Sequence, residues 1–326
     1  MKAADTRGED SKEKQVADLD AHVPWSADQW NRIRQVVYEE ARAARVAGNL
    51  LPIYGPLGSD VLQVACPVLQ DPGPARSFTV EDSRSLKLAT LQTRVSLRAE
   101  QMADPELASA QLAFRRAANV LARLEDDIIF NGQAGEDRGP KRPGSLQSLN
   151  DPWEVVGGQE SNGLLPAPTE RGAPVGPRPH LSIGDLARLG ASMVSVVSAA
   201  VGSLEERYHL GPFICVLDPL YFNAVQTPNA SSLVLPQDRI LPFLGGGALL
   251  RSSALRSPSG LVIAVGGAPV DLAVGTEISV EFLQITEEPL SVFRVFERLV
   301  LRIKEPRAIC PIEIPDLDGV PAAPRV

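Results

Sequence analysis

This 326-residue chain has few of the side chains that usually carry chemistry. Its three cysteines, Cys66, Cys215 and Cys310, are far apart and form no CxxC pair. The spacing of a zinc site or a redox couple is therefore missing. Cys215 and Cys310 lie in the apolar runs 213–217 and 308–312, where a free thiol acts as a small hydrophobe; a disulfide between subunits is the residual reading. Its three histidines are His22, His180 and His209. His22 adjoins a polar N-terminal stretch and His180 a segment rich in glycine and proline, so a histidine-based site would have to be built on His209. Glu206 and His209 have the E-x-x-H spacing of di-iron bundles, but such a centre needs two of these pairs. There is no GxGxxG and no G-x-S-x-G, and Gly245-Gly-Gly247 lacks the following Lys-Ser/Thr of a phosphate-binding loop.

Positive charge is also thin. Lysine occurs only at Lys2, Lys12, Lys14, Lys87, Lys141 and Lys304, and the net charge is −8. That balance excludes a general nucleic-acid binder, whose affinity rests on dense positive charge. No unbroken apolar run reaches the roughly 18 residues that span a bilayer. Half of residues 1–20 are charged, unlike the apolar core of a secretory leader, which points to a cytoplasmic protein.

The regular elements read as α+β. Residues 1–23 have the composition of a disordered arm. Ser26 and Gln29 form a capping box, followed at helical spacing by Trp30, Ile33, Val37, Ala41 and Ala44, with Gly48 as the stop. Residues 50–100 read as an extended two-stranded arm broken by Gly55-Pro56, Gly58 and the Asp71–Pro74 turn. A spine helix is expected from Asp104 to Asn131, with Leu107, Phe114, Ala117, Leu121, Leu124 and Ile128 on one stripe. Within it, Glu125-Asp126-Asp127 is the densest acidic cluster. Adjacent helix positions point in different directions, so these carboxylates are expected in solvent or paired across subunits.

Residues 131–180 hold 17 glycines and prolines and read as a long surface loop. A third helix is expected from Ser182 to about Tyr208, then a buried strand at 213–217 and a short helix capped by Asp218-Pro219. The last third is rich in strands. In the strand 292–304, odd positions are mostly apolar, and Arg294, Arg298, Arg302 and Lys304 share the even face. That face is expected to be solvated or intersubunit, or to hold an anionic partner.

Several segments, in order, resemble the encapsulins, the shell proteins of bacterial and archaeal nanocompartments. They are the apolar strand with Gly-Pro and Gly at 50–58, the acidic pair with Ile-Phe and Gly at 124–132, and the Gly-Pro strand and helix at 211–221. Residues 266–274 and 293–310 resemble the closing strands. The wording of the last segment is nearest to myxobacterial shells that package iron-storage cargo. The loop at 133–180 and the arm at 1–23 depart from the family's usual pattern.

The resemblance implies the fold of tailed-phage major capsid proteins (HK97-like) and a self-assembling structural subunit, not an enzyme. It implies a lumenal helix at 24–49 and an E-loop at 50–100. It further implies a peripheral domain at 101–210, an axial domain at 211–265, closing strands at 266–313 and a flexible tail at 314–326. The partner is a cargo protein, ferritin-like or a peroxidase, whose short C-terminal tail docks beside the lumenal helix at Trp30, Ile33 and Val37. Thr227, Pro228, Asn229, Ala230, Ser231 and Ser232 would ring a pore. No metal, membrane, nucleic acid or cofactor is implied, and a flavin does not carry over. The main rival is a phage major capsid protein enclosing DNA, and a ferritin-like enzyme is the lesser one.

Overall fold

The computed structural model describes residues 23–58, 60–70, 77–141, 152–165, 183–228, 234–255 and 258–312. Residues 1–22 of the arm expected at 1–23, residues 142–151 and 166–180 of the Gly/Pro-rich segment, Asn229, Ala230, Ser231 and Ser232 of the expected pore loop, and the tail lie outside the described residues, whereas Val23 is buried in the first core.

In chain order, helix α1 spans Ala27–Ala44 and the one-turn α2 spans Ala47–Leu50. The arm holds β1 (Ile53–Tyr54), β2 (Gln63–Ala65), β3 (Val68–Gln70), β4 (Thr79–Glu81) and β5 (Ser85–Lys87). Next come β6 (Ala89–Arg98), α3 (Ala99–Met102), the spine α4 (Ala108–Asn131), β7 (Glu154–Gly157) and α5 (Ile183–Glu206). The rest comprises β8 (Phe213–Leu217), α6 (Pro219–Val225), α7 (Pro236–Ile240), β9 (Leu249–Arg251) and β10 (Gly260–Ala264). Long strands β11 (Val270–Ile285) and β12 (Leu290–Ile303) and the short β13 (Ile309–Ile312) complete it.

One sheet has the order β1-β11-β12-β6-β7 and a second the order β13-β10-β8-β9. Residues 270–285 form one long strand, β11. It stays paired with β12 through register shifts near Val274, Thr276 and Phe282. Part of the expected loop at 131–180 is ordered onto the first sheet: β7 pairs antiparallel with β6, from Ala89–Gly157 to Gln92–Glu154. Gly/Pro density forbids a central strand, but a four-residue edge strand needs only one row of partners.

The reciprocal cap of α1 is present: the Gln29 N–H donates to Ser26 Oγ and the Ser26 N–H to Gln29 Oε1. The helix ends at Arg45, ahead of the expected Gly48. The spine starts later than expected, at Ala108. Asp104 still caps it, accepting from the Glu106 and Ala108 N–H groups at 3.0 and 2.9 Å, while buried Leu107 bridges them with φ 54°. The regular helix of 24 residues is about 36 Å long. Gly132 ends it at φ 82°, where a Cβ would strike the Ser161 carbonyl.

Two separate cores follow. In the first, α1 and α4 cover one face of the first sheet. Phe293 lies at its centre, stacked on Trp25 at 5.1 Å and edge-on to Trp30, Phe114 and Phe282. In the second, α5 packs its stripe of Leu189, Met193, Val197, Ala200 and Leu204 with Tyr221 and the second sheet. The cores do not follow the expected boundaries. Helix α5 (within 101–210) and β13 (within 266–313) both join the sheet of the 211–265 segment.

Helix α5 is the most apolar of the three long helices. Its span Gly184–Glu206 is long and apolar enough to cross a membrane by length and composition, although it holds no unbroken apolar run of that length. Its apolar stripe is spent on the second core.

Phe293→Ala is expected to lower stability by about 3–5 kcal/mol and to shift tryptophan emission, because it removes the ring under Trp25. Denaturant unfolding followed by fluorescence reads both; a loss below about 1 kcal/mol would mean that the ring is not central.

Candidate functional site: the helix seat and the arm root

Trp30, Ile33 and Val37 lie inside the first core, with exposures of 5, 0 and 1%. They anchor α1 and present no surface to a docking tail. The reason is that the same apolar stripe which marks the helix in sequence must be covered by α4 and the sheet. Trp25, overlooked in the sequence, fixes the entry to the helix by donating from Nε1 to the Met102 carbonyl at 3.1 Å. Arg34 lies over the Trp30 ring at 5.1 Å.

The far end of α1 is held by a buried ionic cluster. Glu125, Asp126 and Asp127 are neither solvated nor free for another subunit; all three are buried. Asp126 accepts from the Ala47 N–H at 2.7 Å and the Val46 N–H at 3.0 Å, and so caps α2. Asp127 accepts from Asn131 Nδ2 at 2.6 Å. Arg45 reaches Glu125 and Glu297, each at 3.1 Å. The contact with Glu125 lacks hydrogen-bond alignment, and both Glu125 carboxylate oxygens and Glu297 Oε1 have no hydrogen-bond partner.

Three carboxylates thus share one guanidinium away from water. Burial pushes the Glu297 carboxyl up to about 7 and Asp126 to about 6, against the pull of Arg45 and, at Asp126, of the α2 N–H groups. Glu125 is driven well above the usual range by burial and then by Glu297. Burial works against the charge on Arg45, but Glu125 and Glu297 outweigh it and keep the guanidinium protonated. Glu297 had a visible signal in the sequence: it is an acid on the otherwise apolar odd face of β12. Arg45 had none.

The even face of β12 is occupied rather than open. Arg302 grips Asp271 with two bonds of 2.7 Å, lies over the Tyr54 ring at 3.9 Å, and donates to the Ala65 carbonyl at 3.1 Å. Arg298 donates to the Val61 carbonyl at 2.8 Å, Arg294 pairs with Glu281, and Lys304 lies 3.1 Å from Asp271. An anionic partner is therefore not needed to neutralise this face. The first half of the arm lies on it. Val64, Cys66, Val68 and Leu86 form a small third core with Ala273, and the Leu69 N–H donates to the Lys304 carbonyl. Gly55, at φ 137°, turns the chain into the arm where a Cβ would strike the Val274 carbonyl. Further out, Phe78 and Val80 are 70 and 58% exposed.

The other sequence-marked groups do not combine into a site. His209 faces Glu305 at 3.7 Å instead of joining Glu206. Among the described residues no group of three or more His, Cys, Asp or Glu side chains is placed to hold a metal. Cys66, Cys215 and Cys310 are free thiols, and burial raises all three. Of the residues expected to ring a pore, Thr227 and Pro228 follow α6, with Thr227 Oγ1 donating to the Asn223 carbonyl.

A long spine helix, two sheets and a two-stranded arm define a capsid-type shell subunit with the HK97-like fold. The virus-like particle from Pyrococcus furiosus has this fold, at a TM-score of 0.56 and 14% identity over 87% of this chain and 99% of that one. Residues 20–139 and 176–300 match the family described as encapsulating protein for peroxidase, and the chain belongs to it: it is an encapsulin shell protein. It is 28% identical over 308 residues to the type 1 encapsulin shell protein EncA of Myxococcus xanthus, covering 90% of this chain and 95% of that one. It is 26% identical over 324 residues to a diheme-cytochrome-encapsulin shell fusion protein of Kuenenia stuttgartiensis, covering 95% of this chain and 80% of that one. The subunit is a structural one that assembles with its own copies around cargo.

The sign of the cluster's pH dependence follows from its raised carboxyls. A group that binds its proton more tightly when folded stabilises the fold below its unfolded value and loses that contribution as pH rises through its folded value. Glu297 should therefore cost stability between about pH 4.5 and about 7. Glu297→Gln is expected to flatten this fall in melting temperature; identical slopes for both proteins across that window would disprove the assignment.

Proposed function

We propose that copies of this chain close into an icosahedral cytoplasmic nanocompartment around a cargo enzyme that handles iron or peroxide. The chain itself supplies the wall and leaves the chemistry to the cargo. The observation that carries the peroxide reading is the family's own description as encapsulating a peroxidase. The iron reading draws on the closing strands, whose wording resembles the myxobacterial shells, and on the Myxococcus relative.

In this reading the first sheet with α4 is the peripheral domain, the second sheet with α5 is the axial domain, and the arm is the E-loop. Residues 227–232, entered through Thr227 and Pro228, would face a symmetry-axis pore. The cargo's short C-terminal tail docks along α1. Since Trp30, Ile33 and Val37 are buried, their part is to position the helix. The tail would meet the side of α1 that carries half-exposed Tyr38. The distal arm, with Phe78 and Val80 outward, would be covered by a neighbouring copy.

Purified alone, the chain should appear by electron microscopy as closed hollow particles without nuclease-protected DNA; monomers or small oligomers at micromolar protein would overturn the shell reading. Deleting residues 68–80 should leave a soluble subunit that assembles poorly, and normal particles from that deletion would refute the arm's role. A peroxidase or ferritin-like protein ending in the cargo tail should co-purify inside the particles, and loss of the tail should abolish this.

A further inference from the structure

The chain has two Asn-Gly pairs, Asn131-Gly132 and Asn162-Gly163, and the fold brings them against each other. Residues 161–165 cap the end of the spine. The Leu164 and Leu165 N–H groups donate to the Ile129 and Phe130 carbonyls, which the last turn of α4 leaves without a helical partner. The approach is so close that a Cβ on Gly163, at φ 66°, would strike the Gly132 nitrogen and the Phe130 carbonyl. Packing thus requires glycine at 163. The same glycine makes the preceding asparagine vulnerable, because its nitrogen has no side chain beside it to hinder attack on the asparagine amide carbon.

The two pairs are in opposite states. Asn131 is buried, with Nδ2 donating to Asp127 Oδ1 at 2.6 Å and to the Ala254 carbonyl at 2.7 Å, and the Gly132 N–H donates to the Ile128 carbonyl. Amide and nucleophile are both held. Asn162 is exposed, and the Gly163 N–H donates to no group among the described residues. Lys141 Nζ donates to Asn162 Oδ1 at 3.1 Å and to Glu160 Oε1 at 2.8 Å. That ammonium draws electron density from the amide carbon and stabilises the oxyanion that attack creates.

We propose that Asn162 is a site of spontaneous covalent modification and that Asn131, in the same dipeptide, is inert. The Gly163 nitrogen gives its proton to solvent hydroxide and bonds to Asn162 Cγ; the Cγ–Nδ2 bond breaks and ammonia leaves. Water then opens the succinimide at either carbonyl, giving aspartate or isoaspartate at position 162. Water is consumed and ammonia released, with no oxidant or reductant. The product carries a new carboxylate beside Lys141 and, in the isoaspartyl form, an extra backbone atom in the strip that caps the spine.

The test holds the full chain at neutral and at mildly alkaline pH and digests portions over time for mass spectrometry. A second sample is digested first and held as peptides. Both pairs should convert in the peptides, but only Asn162 in the intact protein. Conversion should be faster at the higher pH, and in water labelled with heavy oxygen the new carboxyl should carry the label. Asn162→Gln, whose side chain must close a larger ring, should remove the mass change from the peptide that contains it. An intact protein that keeps Asn162 while the peptides convert overturns the proposal. So does equal conversion at Asn131, or a mass change that persists in Asn162→Gln.

Discussion

Strands β11 and β12 pair antiparallel from Val270–Ile303 to Ile285–Ser291, and helix α1 and the root of the arm lie on opposite faces of that pair. Side chains alternate across a strand, so Phe293, Val295, Glu297 and Leu299 face the helices while Arg298, Val300 and Arg302 face the arm. Asp271 and Leu272 divide the same way on β11: the acid meets Arg302, and the leucine enters the first core. A slip of one residue in this pairing would exchange the two faces, sending the arginines into the aromatic cluster and Phe293 under the arm. The pairing therefore fixes both the seat of α1 and the root of the arm.

The seat combines an aromatic end and an ionic end. Around Phe293 the contacts are apolar and close-packed, which fixes the position of α1 whatever the pH. Around Arg45 there are more carboxylates than cations, and the surplus charge is removed by holding protons rather than by adding partners. Replacing such a cluster with apolar groups often raises stability, so its presence speaks for a definite geometry rather than for strength. Asp126 shows what that geometry provides: its carboxylate starts a second helix after α1 has ended, turning the chain toward β1.

Much of this was legible in the sequence. The stripes of α1, α4 and α5, the cap at Ser26, the Asp218-Pro219 start of α6 and the alternation of β12 all follow local periodicity, and the structure has each of them. What local pattern could not reveal was which face meets what. Trp30, Ile33 and Val37 carry the same signal whether a helix docks on its own subunit or on a guest; only the position of α4 decides. The acidic triplet was expected in water or paired across subunits because its cation lies some 80 positions earlier in the chain, at Arg45, and its competing acid still further on, at Glu297. Strand β7 was hidden by the prolines and glycines around it, since edge pairing leaves little trace in a four-residue stretch. The even face of β12 looked open because its partners, acids of β11 and carbonyls of the arm, lie on other strands.

Both ends of the first sheet are short. One edge is β1, two residues long; the other is β7, four residues long, which runs into Gly157 and Gly158 at φ 73° and 74° and turns away. Each covers only a few residues of a longer neighbour: β1 meets Leu272 and Ala273 of the 16-residue β11, and β7 meets Ala89 to Gln92 of the ten-residue β6. Beyond those pairs the outer edges of β11 and β6 have no partner strand among the described residues. The two strands that seat the helix and the arm thus also keep open backbone at the rim of the sheet, where a strand of another chain could align.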